Sequence, residues 1–341
     1  MRKKRLIELI SFVGVVLLCI FIIPISFGFL SASDVELRKE SEVVKSSKRL
    51  EDVVDLKEVD VYISSEDKVK SIPLEEYVLS VVSSEMPASF DEEALKAQAV
   101  LARTYAINKM IVGCSNTDKG DICDTTHCQV YTDINEKIKA WGEEGKNNLK
   151  KVKEAVDDTK MEVLSYNDEI IRYPQYFSTS SGKTEDAVSV FSEDVPYLKS
   201  VNSPGEEVSP KYESQVKLSI KEFESKLKAA FPDIKFNSEI EASVEVMSRN
   251  NGNTVNYIKI GNKEVKGTDF RRIFGLNSAN FSLEFNSDEV IINCLGYGHG
   301  VGMSQWGANV MAKEGSKYQQ ILEHYFIGSE VKKSNKTLMY K

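Results

Sequence analysis

Residues 9–30 contain no Asp, Glu, Lys or Arg, and most of them are apolar. That run matches the roughly 20 residues a helix needs to cross a bilayer. Arg2, Lys3, Lys4 and Arg5 precede it, and a basic flank is expected to stay in the cytoplasm. A cleaved signal peptide is the competing reading. The run is long for such a peptide, and only Ser31-Ala32-Ser33 offers small residues for cleavage. The expectation is an uncleaved, single-pass anchor in the cytoplasmic membrane, with the rest of the chain outside it. This divides the sequence into a basic tail (1–8), an anchor (9–30), a charged linker (31–58) and a folded outer region (59–341).

The outer region has ample material for a core, since 41% of the 341 residues are hydrophobic. Acidic residues outnumber basic ones, 52 to 44, for a net charge of -8, which argues against a nucleic-acid binder. Residues 59–64 alternate like a strand. Residues 89–110, 136–156, 219–231, 268–274, 303–314 and 318–326 read as helical, with Gly142 and Gly145 as candidate interruptions of the second and Ser89/Glu92 and Ser219/Glu222 as capping signals. Residues 162–166, 169–172 and 175–178 read as strands. Residues 244–248 and 255–260 flank Asn250-Asn-Gly-Asn253, a hairpin signal. Residues 281–285 and 289–295 read as another strand pair. The mixture predicts an α+β fold with mainly antiparallel sheet and packed helices.

One residue breaks the local pattern twice. In Pro73-Leu-Glu-Glu-Tyr-Val-Leu-Ser-Val-Val-Ser-Ser-Glu85-Met-Pro87, the positions Leu74, Tyr77, Val78, Val81 and Val82 form one apolar helical stripe. Four residues past Val81 the stripe calls for a hydrophobe, and the chain supplies Glu85. Pro87 disfavours helix at Met86, so Glu85 also sits in the last turn, where a negative charge opposes the helix dipole. A frayed, solvated glutamate is the bland reading. The functional reading is a carboxyl group whose pKa is raised by apolar surroundings, fit to act as a general acid.

Cys114, Cys123, His127 and Cys128 fall within fifteen positions and make a candidate metal set. Zinc takes such sulfur and nitrogen ligands. A disulfide is the rival outside the membrane, although it would leave an odd cysteine, and free thiols are the third option. Cys19 falls in the anchor, and Cys294 is expected to be buried in a strand.

Two further segments stand out. Gly296-Tyr-Gly-His-Gly-Val-Gly302-Met-Ser-Gln-Trp-Gly307 carries five glycines in twelve residues. Glycines at that density are expected to supply positive φ or a close backbone approach to a ligand. His299 among them is a candidate substrate contact or proton relay, whereas His324 is expected to be a packed, satisfied histidine. Residues 178–184, Ser-Thr-Ser-Ser-Gly-Lys-Thr, form a hydroxyl-rich loop suited to sugar hydrogen bonds or to a plain surface turn. A phosphate loop is excluded because position 177 is Phe where the upstream glycine would stand.

Together the segments Pro73-Leu-Glu-Glu-Tyr-Val78, Ser84-Glu-Met-Pro87, Glu93-Ala-Leu-Lys-Ala-Gln-Ala-Val-Leu-Ala-Arg-Thr-Tyr105, Phe177-Ser-Thr-Ser-Ser-Gly-Lys-Thr-Glu185 and Gly298-His-Gly-Val-Gly-Met-Ser-Gln-Trp-Gly-Ala308 resemble the stage II sporulation protein D family. The match spans roughly residues 59–328 and includes the anchor. The Cys123-Asp-Thr-Thr-His-Cys128 segment is similar to a zinc-associated form in clostridial members. The resemblance implies a lytic transglycosylase acting on denuded peptidoglycan glycan strands during endospore engulfment. It also implies a glycan-binding groove, a mother-cell membrane location facing the intermembrane space, and stage II sporulation proteins P and M as partners.

The family's catalytic glutamate falls on Glu85. Substrate-binding segments fall on Tyr77, Arg103, Gln175, Ser178, Thr179, Ser181 and Thr184, and further on Tyr197, His299, Ser304 and Gln305. Ser181 stands where many relatives have glycine. Metal ligation falls on Cys123, His127 and Cys128, with Cys114 as the fourth candidate and zinc as the expected ion.

The implied reaction needs one acid. Protonated Glu85 would donate to the glycosidic oxygen, and ionised Glu85 would then deprotonate the muramic C6 hydroxyl as it attacks C1. A hydrolytic muramidase is the nearest rival and needs a second carboxylate such as Asp91, Glu92 or Glu185. A zinc amidase and a non-catalytic glycan-binding module are the others.

Overall fold

The computed structural model describes residues 57–237 and 239–333. The expected anchor over residues 9–30 lies outside the described residues. Among those described, no helix is long and apolar enough to cross a membrane.

The fold is α+β and its strand pairs are mostly antiparallel, as expected. β1 (Glu58–Ile63) and β2 (Lys68–Pro73) form a hairpin. Val59, Val61 and Ile63 alternate inward on β1. β3 (Ile122–Cys123) joins the other side of β1 in parallel, so Cys123 is delivered from a fixed sheet edge. α1 (Leu74–Glu85) leaves β2 directly, and its stripe Tyr77, Val78, Val81 and Val82 is fully buried. Each of those side chains contributes about 1.5–3 kcal/mol by burial. Met86 turns extended, as Pro87 demands, so the helix ends on Glu85.

α2 (Glu92–Val112) packs against α1, its alanines allowing the close approach. The cap of α2 differs from expectation. Asp91, not Ser89, is the N-cap, and its side chain accepts from Glu93 N–H at 3.0 Å. An ionised cap at the helix N-terminus suits the dipole better than a hydroxyl. The stretch expected over 136–156 is split into α3 (Ile134–Trp141) and α4 (Gly145–Asp158), with a short 3₁₀ turn between them. A Cβ on Gly145 would lie 2.6 Å from the Ile138 carbonyl, so glycine permits that corner.

β4 (Glu162–Tyr166) pairs with β5 (Glu169–Ile170) and with β14 (Glu330–Lys333). β6 (Tyr176–Phe177) and β13 (Met303–Ser304) are two residues each and parallel. α5 (Ala187–Phe191) is short. α8 (Gln305–Lys313) and α9 (Tyr318–Tyr325) close the first core, with α6 (Ile220–Ala230) and α7 (Gly267–Phe274) falling earlier in the chain.

A second core gathers residues 223–294. It is built on β7 (Glu213–Ser219), β11 (Asn280–Phe285) and β12 (Glu289–Leu295) in one sheet, and β8 (Val244–Arg249), β9 (Val255–Ile260) and β10 (Lys263–Lys266) in another. α6 (Ile220–Ala230), with the expected Ser219/Glu222 capping box, and α7 (Gly267–Phe274) complete it. Phe223, Phe270, Phe274 and Phe281 stack at its centre. Glu185 joins the two cores: its buried carboxylate accepts from Gly252 N–H at 2.9 Å and from Thr254 N–H at 2.9 Å and Oγ1 at 2.5 Å.

Candidate active site and metal centre

Glu85 is half-buried at the end of α1, where the chain turns away before Pro87. Three parts of the fold hold it. Val130 N–H donates to Oε1 at 2.7 Å. The Tyr176 hydroxyl hydrogen-bonds the same carboxyl group. Gln305 Nε2 donates to the Glu85 backbone carbonyl at 3.1 Å and to Gln98 Oε1 at 3.2 Å. Burial raises the Glu85 pKa above the usual carboxylate value, and the two donors only partly offset this.

A directed chain sets the Tyr176 proton. Tyr77 OH donates to Gln129 Oε1 at 3.2 Å, and Gln129 Nε2 donates to the Tyr176 oxygen at 3.2 Å. Having accepted that bond, Tyr176 turns its own O–H toward Glu85. Tyr77 is fully buried and stacks on Tyr131 with ring centroids 5.8 Å apart. It therefore supports the site from beneath and does not reach a substrate.

Gln129 and Val130 follow a cluster of Cys114, Cys123, His127 and Cys128, whose ligand atoms all lie within 4.8 Å of one another. His127 Nδ1 is 3.5 Å from Cys114 Sγ, 3.6 Å from Cys123 Sγ and 3.4 Å from Cys128 Sγ. Tetrahedral zinc, with bonds of about 2.3 Å to sulfur and 2.0–2.1 Å to nitrogen, needs edges of about 3.6 Å. The four groups fit. Nε2 of His127 is left to face Ser115 Oγ at 3.3 Å, the outer partner that fixes a ligating imidazole. Thr125 organises the turn: its carbonyl accepts from Cys128 N–H at 3.0 Å and its hydroxyl contacts Cys123 Sγ at 3.4 Å. Cys114 and Cys128 sulfurs stand 3.5 Å apart, and no disulfide joins the four described cysteines.

The stage II sporulation protein family model matches residues 43–166, which include Glu85 and the whole Cys/His cluster. The chain is 37% identical to stage II sporulation protein D of Bacillus subtilis over 320 residues, covering 93% of this chain and 91% of that protein. It is 40% identical to stage II sporulation protein D of Bacillus amyloliquefaciens over 282 residues, 82% of this chain and 80% of that one. The chain belongs to the stage II sporulation protein D family. The amidase enhancer of Bacillus subtilis is a more distant relative, 30% identical over 73% of this chain and 39% of its own length.

Family membership does not make every motif residue a surface contact. Arg103 is fully buried, which corrects its assignment to substrate. Its guanidinium grips Glu75 through Nε at 2.9 Å and Nη2 at 2.6 Å, and donates to the Glu162 carbonyl at 3.0 Å. It ties α1 and α2 to β4. Tyr197 is buried as well, and its hydroxyl accepts from Tyr173 N–H at 3.1 Å. Thr179 and Thr184 face inward, bonded to Ser209 Oγ and to Val201 N–H. Ser304 is the buried N-cap of α8, and Gln305 is spent on Glu85 and Gln98.

His299 is also corrected as a relay. Val301 N–H donates to its Nδ1 at 3.1 Å, and the ring makes a second bond to the Tyr176 backbone. Burial, with help from Arg271, pushes its pKa down to about 4, so the imidazole is neutral with both nitrogens in use. It packs against Phe177 and Phe191. Tyr176, which bonds Glu85, and Phe177, which packs against His299, are successive residues of β6 and alternate faces. His324, as expected, is satisfied, bonding the Asn202 carbonyl at 2.7 Å.

Gln175, Ser178 and Ser181 keep partial exposure. The glycines of residues 296–307 serve the protein's own backbone: a Cβ on Gly302 would lie 2.1 Å from the Gln175 carbonyl. That close approach lets β13 lie beside β6 and aims Tyr176 at Glu85. Sequence reasoning missed Tyr176, Gln129 and Val130. The only available signal was their proximity to flagged motifs.

Proposed function

We propose that this stage II sporulation protein D family member is a lytic transglycosylase that cuts the MurNAc–GlcNAc bond of peptidoglycan strands lacking stem peptides. The observation that carries this reading is Glu85, a single partly buried carboxyl group with a raised pKa and two fixed donors. Protonated Glu85 gives its proton to the glycosidic oxygen, and the bond to C1 of the muramic residue breaks toward an oxocarbenium-like state. The Val130 and Tyr176 donors stabilise the carboxylate so formed. It then takes the proton of the muramic C6 hydroxyl as that oxygen bonds to C1. The product is a 1,6-anhydro end, Glu85 is protonated again, and no water is consumed. An internal hydroxyl has a proximity advantage over water.

Each of the three carboxylates named for the muramidase rival is engaged elsewhere. Asp91 caps α2, Glu92 pairs with Lys96 at 2.6 Å, and Glu185 is buried under three hydrogen bonds. The cluster of three cysteines and His127 supplies four ligands, which suits a closed structural zinc site; a hydrolytic zinc needs an open position. Zinc held there would tether residues 123–128 and so fix Gln129 and Val130 against Glu85. The amidase enhancer's name is consistent with work at the cell wall.

The proposed setting is engulfment. The chain is anchored in the mother-cell membrane by residues 9–30, with its outer region facing the intermembrane space and stage II sporulation proteins P and M as partners. The deciding experiment is mass analysis of products released from denuded glycan by the full-length protein and by Glu85→Gln. Anhydro ends from the wild type only are expected; reducing ends would favour hydrolysis, and unchanged release by the variant would sink the role of Glu85.

A further inference from the structure

Glu206 is fully buried and forms no ion pair with a basic side chain among the described residues. Its oxygens accept from Ser203 Oγ at 2.5 Å, Ser180 N–H at 2.6 Å and Ser304 Oγ at 2.6 Å. Tyr325 OH lies 2.6 Å from Ser203 Oγ, which has already given its proton to Glu206, so Tyr325 is the donor in that pair. The carboxyl group thus gathers donors from the 178–184 loop, the start of α8 and, through Ser203, α9. Room for it depends on Gly307, where a Cβ would lie 2.1 Å from Tyr325 OH and 2.8 Å from Glu206 Oε1. An anion is favoured beside the N-terminus of α8.

What Glu206 fastens is the corner that holds the acid. Ser304 sits in β13, whose ladder with β6 places Tyr176. The next residue, Gln305, bonds the Glu85 carbonyl. Trp306 N–H is bonded to the Ser178 carbonyl at 3.1 Å, closing the corner onto the same loop. We propose that Glu206 is a positioning residue that keeps the 303–306 corner, and through it Tyr176 and the backbone of Glu85, in register for the reaction proposed above.

The groups around Glu206 give the inference a distinctive readout. Glu207 and Tyr212 face it from its own segment, and Tyr325 faces it from α9. The 178–184 loop and α8 present only hydroxyls and peptide N–H groups. Burial pushes its pKa up to about 7. Above that pH the carboxylate accepts every donor; below it one oxygen carries a proton and the group resembles glutamine.

The test is Glu206→Gln in the full-length protein, assayed on denuded glycan at about pH 8 and about pH 6, with amide exchange followed at Ser180 and residues 303–306. A lost hydrogen bond to a charged group corresponds to a kcat about 10- to 100-fold lower at the higher pH, with KM little changed. The ratio of wild type to variant should shrink toward one at the lower pH, and the followed amides should exchange faster in the variant at the higher pH. Ser203→Ala, which leaves the α8 cap intact, should shift that pH dependence upward. A ratio independent of pH, or unaltered exchange at 303–306, overturns the proposal. If the wild type releases no anhydro ends, the transglycosylase reading falls, and the exchange data still judge Glu206.

Discussion

Val130 donates its backbone N–H to Oε1 of Glu85 at 2.7 Å, two residues after the metal-cluster cysteine Cys128. A donor on the backbone has no side chain to delete. Its direction is set by the loop that carries it, and that loop follows directly on the Cys/His cluster. The candidate acid and the candidate metal centre are therefore neighbours along one loop.

Glu85→Gln should abolish release of anhydro product while leaving the fold intact. The stability effect has a definite sign. Burial raises the folded pKa of Glu85 above its unfolded value, so its stabilising contribution is complete below the unfolded pKa and is lost as pH rises through the folded one. Glutamine does not titrate. Thermal melts should show the variant gaining on the wild type as pH rises, and wild-type activity should decline over the same upward window as the acid loses its proton.

Tyr176→Phe removes a donor that favours ionised Glu85. The Glu85 pKa should rise further, moving the alkaline limb of the rate profile to higher pH. Loss of a hydrogen bond to a charged group, about 1.5–3 kcal/mol, corresponds to about a 10- to 100-fold drop in kcat. A profile that stays in place would show that Tyr176 does not contact the acid in solution.

Purified protein should hold about one zinc ion per chain, bound through thiolates and imidazole. Cys114→Ser and Cys128→Ser should each lower that content, measurable by elemental analysis. Chelation should speed amide exchange at Gln129 and Val130 before it affects α1 or α2. Full activity in chelated protein with an unchanged exchange pattern would separate the cluster from the acid.

Arg103→Ala should act on stability rather than on substrate affinity. It leaves Glu75 without its bidentate partner, and Glu75 keeps partial solvent access. The loss should fall near the lower end of the 3–5 kcal/mol seen for broken buried pairs, about 3 kcal/mol by denaturant unfolding. KM for denuded glycan, measured where the variant is still folded, should match the wild type.

Glu85 was legible in the sequence because its anomaly is local: a stripe, a proline and a charge within a dozen residues. The Cys/His cluster was legible for the same reason, and Cys114 joined it through a turn short enough to read. The helices followed the apolar periodicity, with the cap of α2 misread because Ser89 and Asp91 compete at two-residue spacing. Arg103 was misassigned because its partner Glu75 lies on another helix, and a motif does not say which way its arginine points. His299, Thr179 and Ser304 failed similarly: polar residues in a matched segment serve packed backbone as readily as ligand. Tyr176 offered no signal beyond its place beside flagged residues, since its contact with Glu85 depends on β6 lying beside β13, a pairing between two-residue strands that carry no periodic signal.

The contacts on Glu85 come from Val130, Tyr176 and Gln305, the last 220 positions further along the chain. Contacts so distant in sequence cannot form before both partners are made, and closing so long a loop costs entropy. Until residue 305 has emerged and docked, residue 85 ends a helix as an ordinary acid. Under the proposed activity, a nascent or truncated copy is unarmed, and the ability to cut wall arrives only once residue 305 has docked.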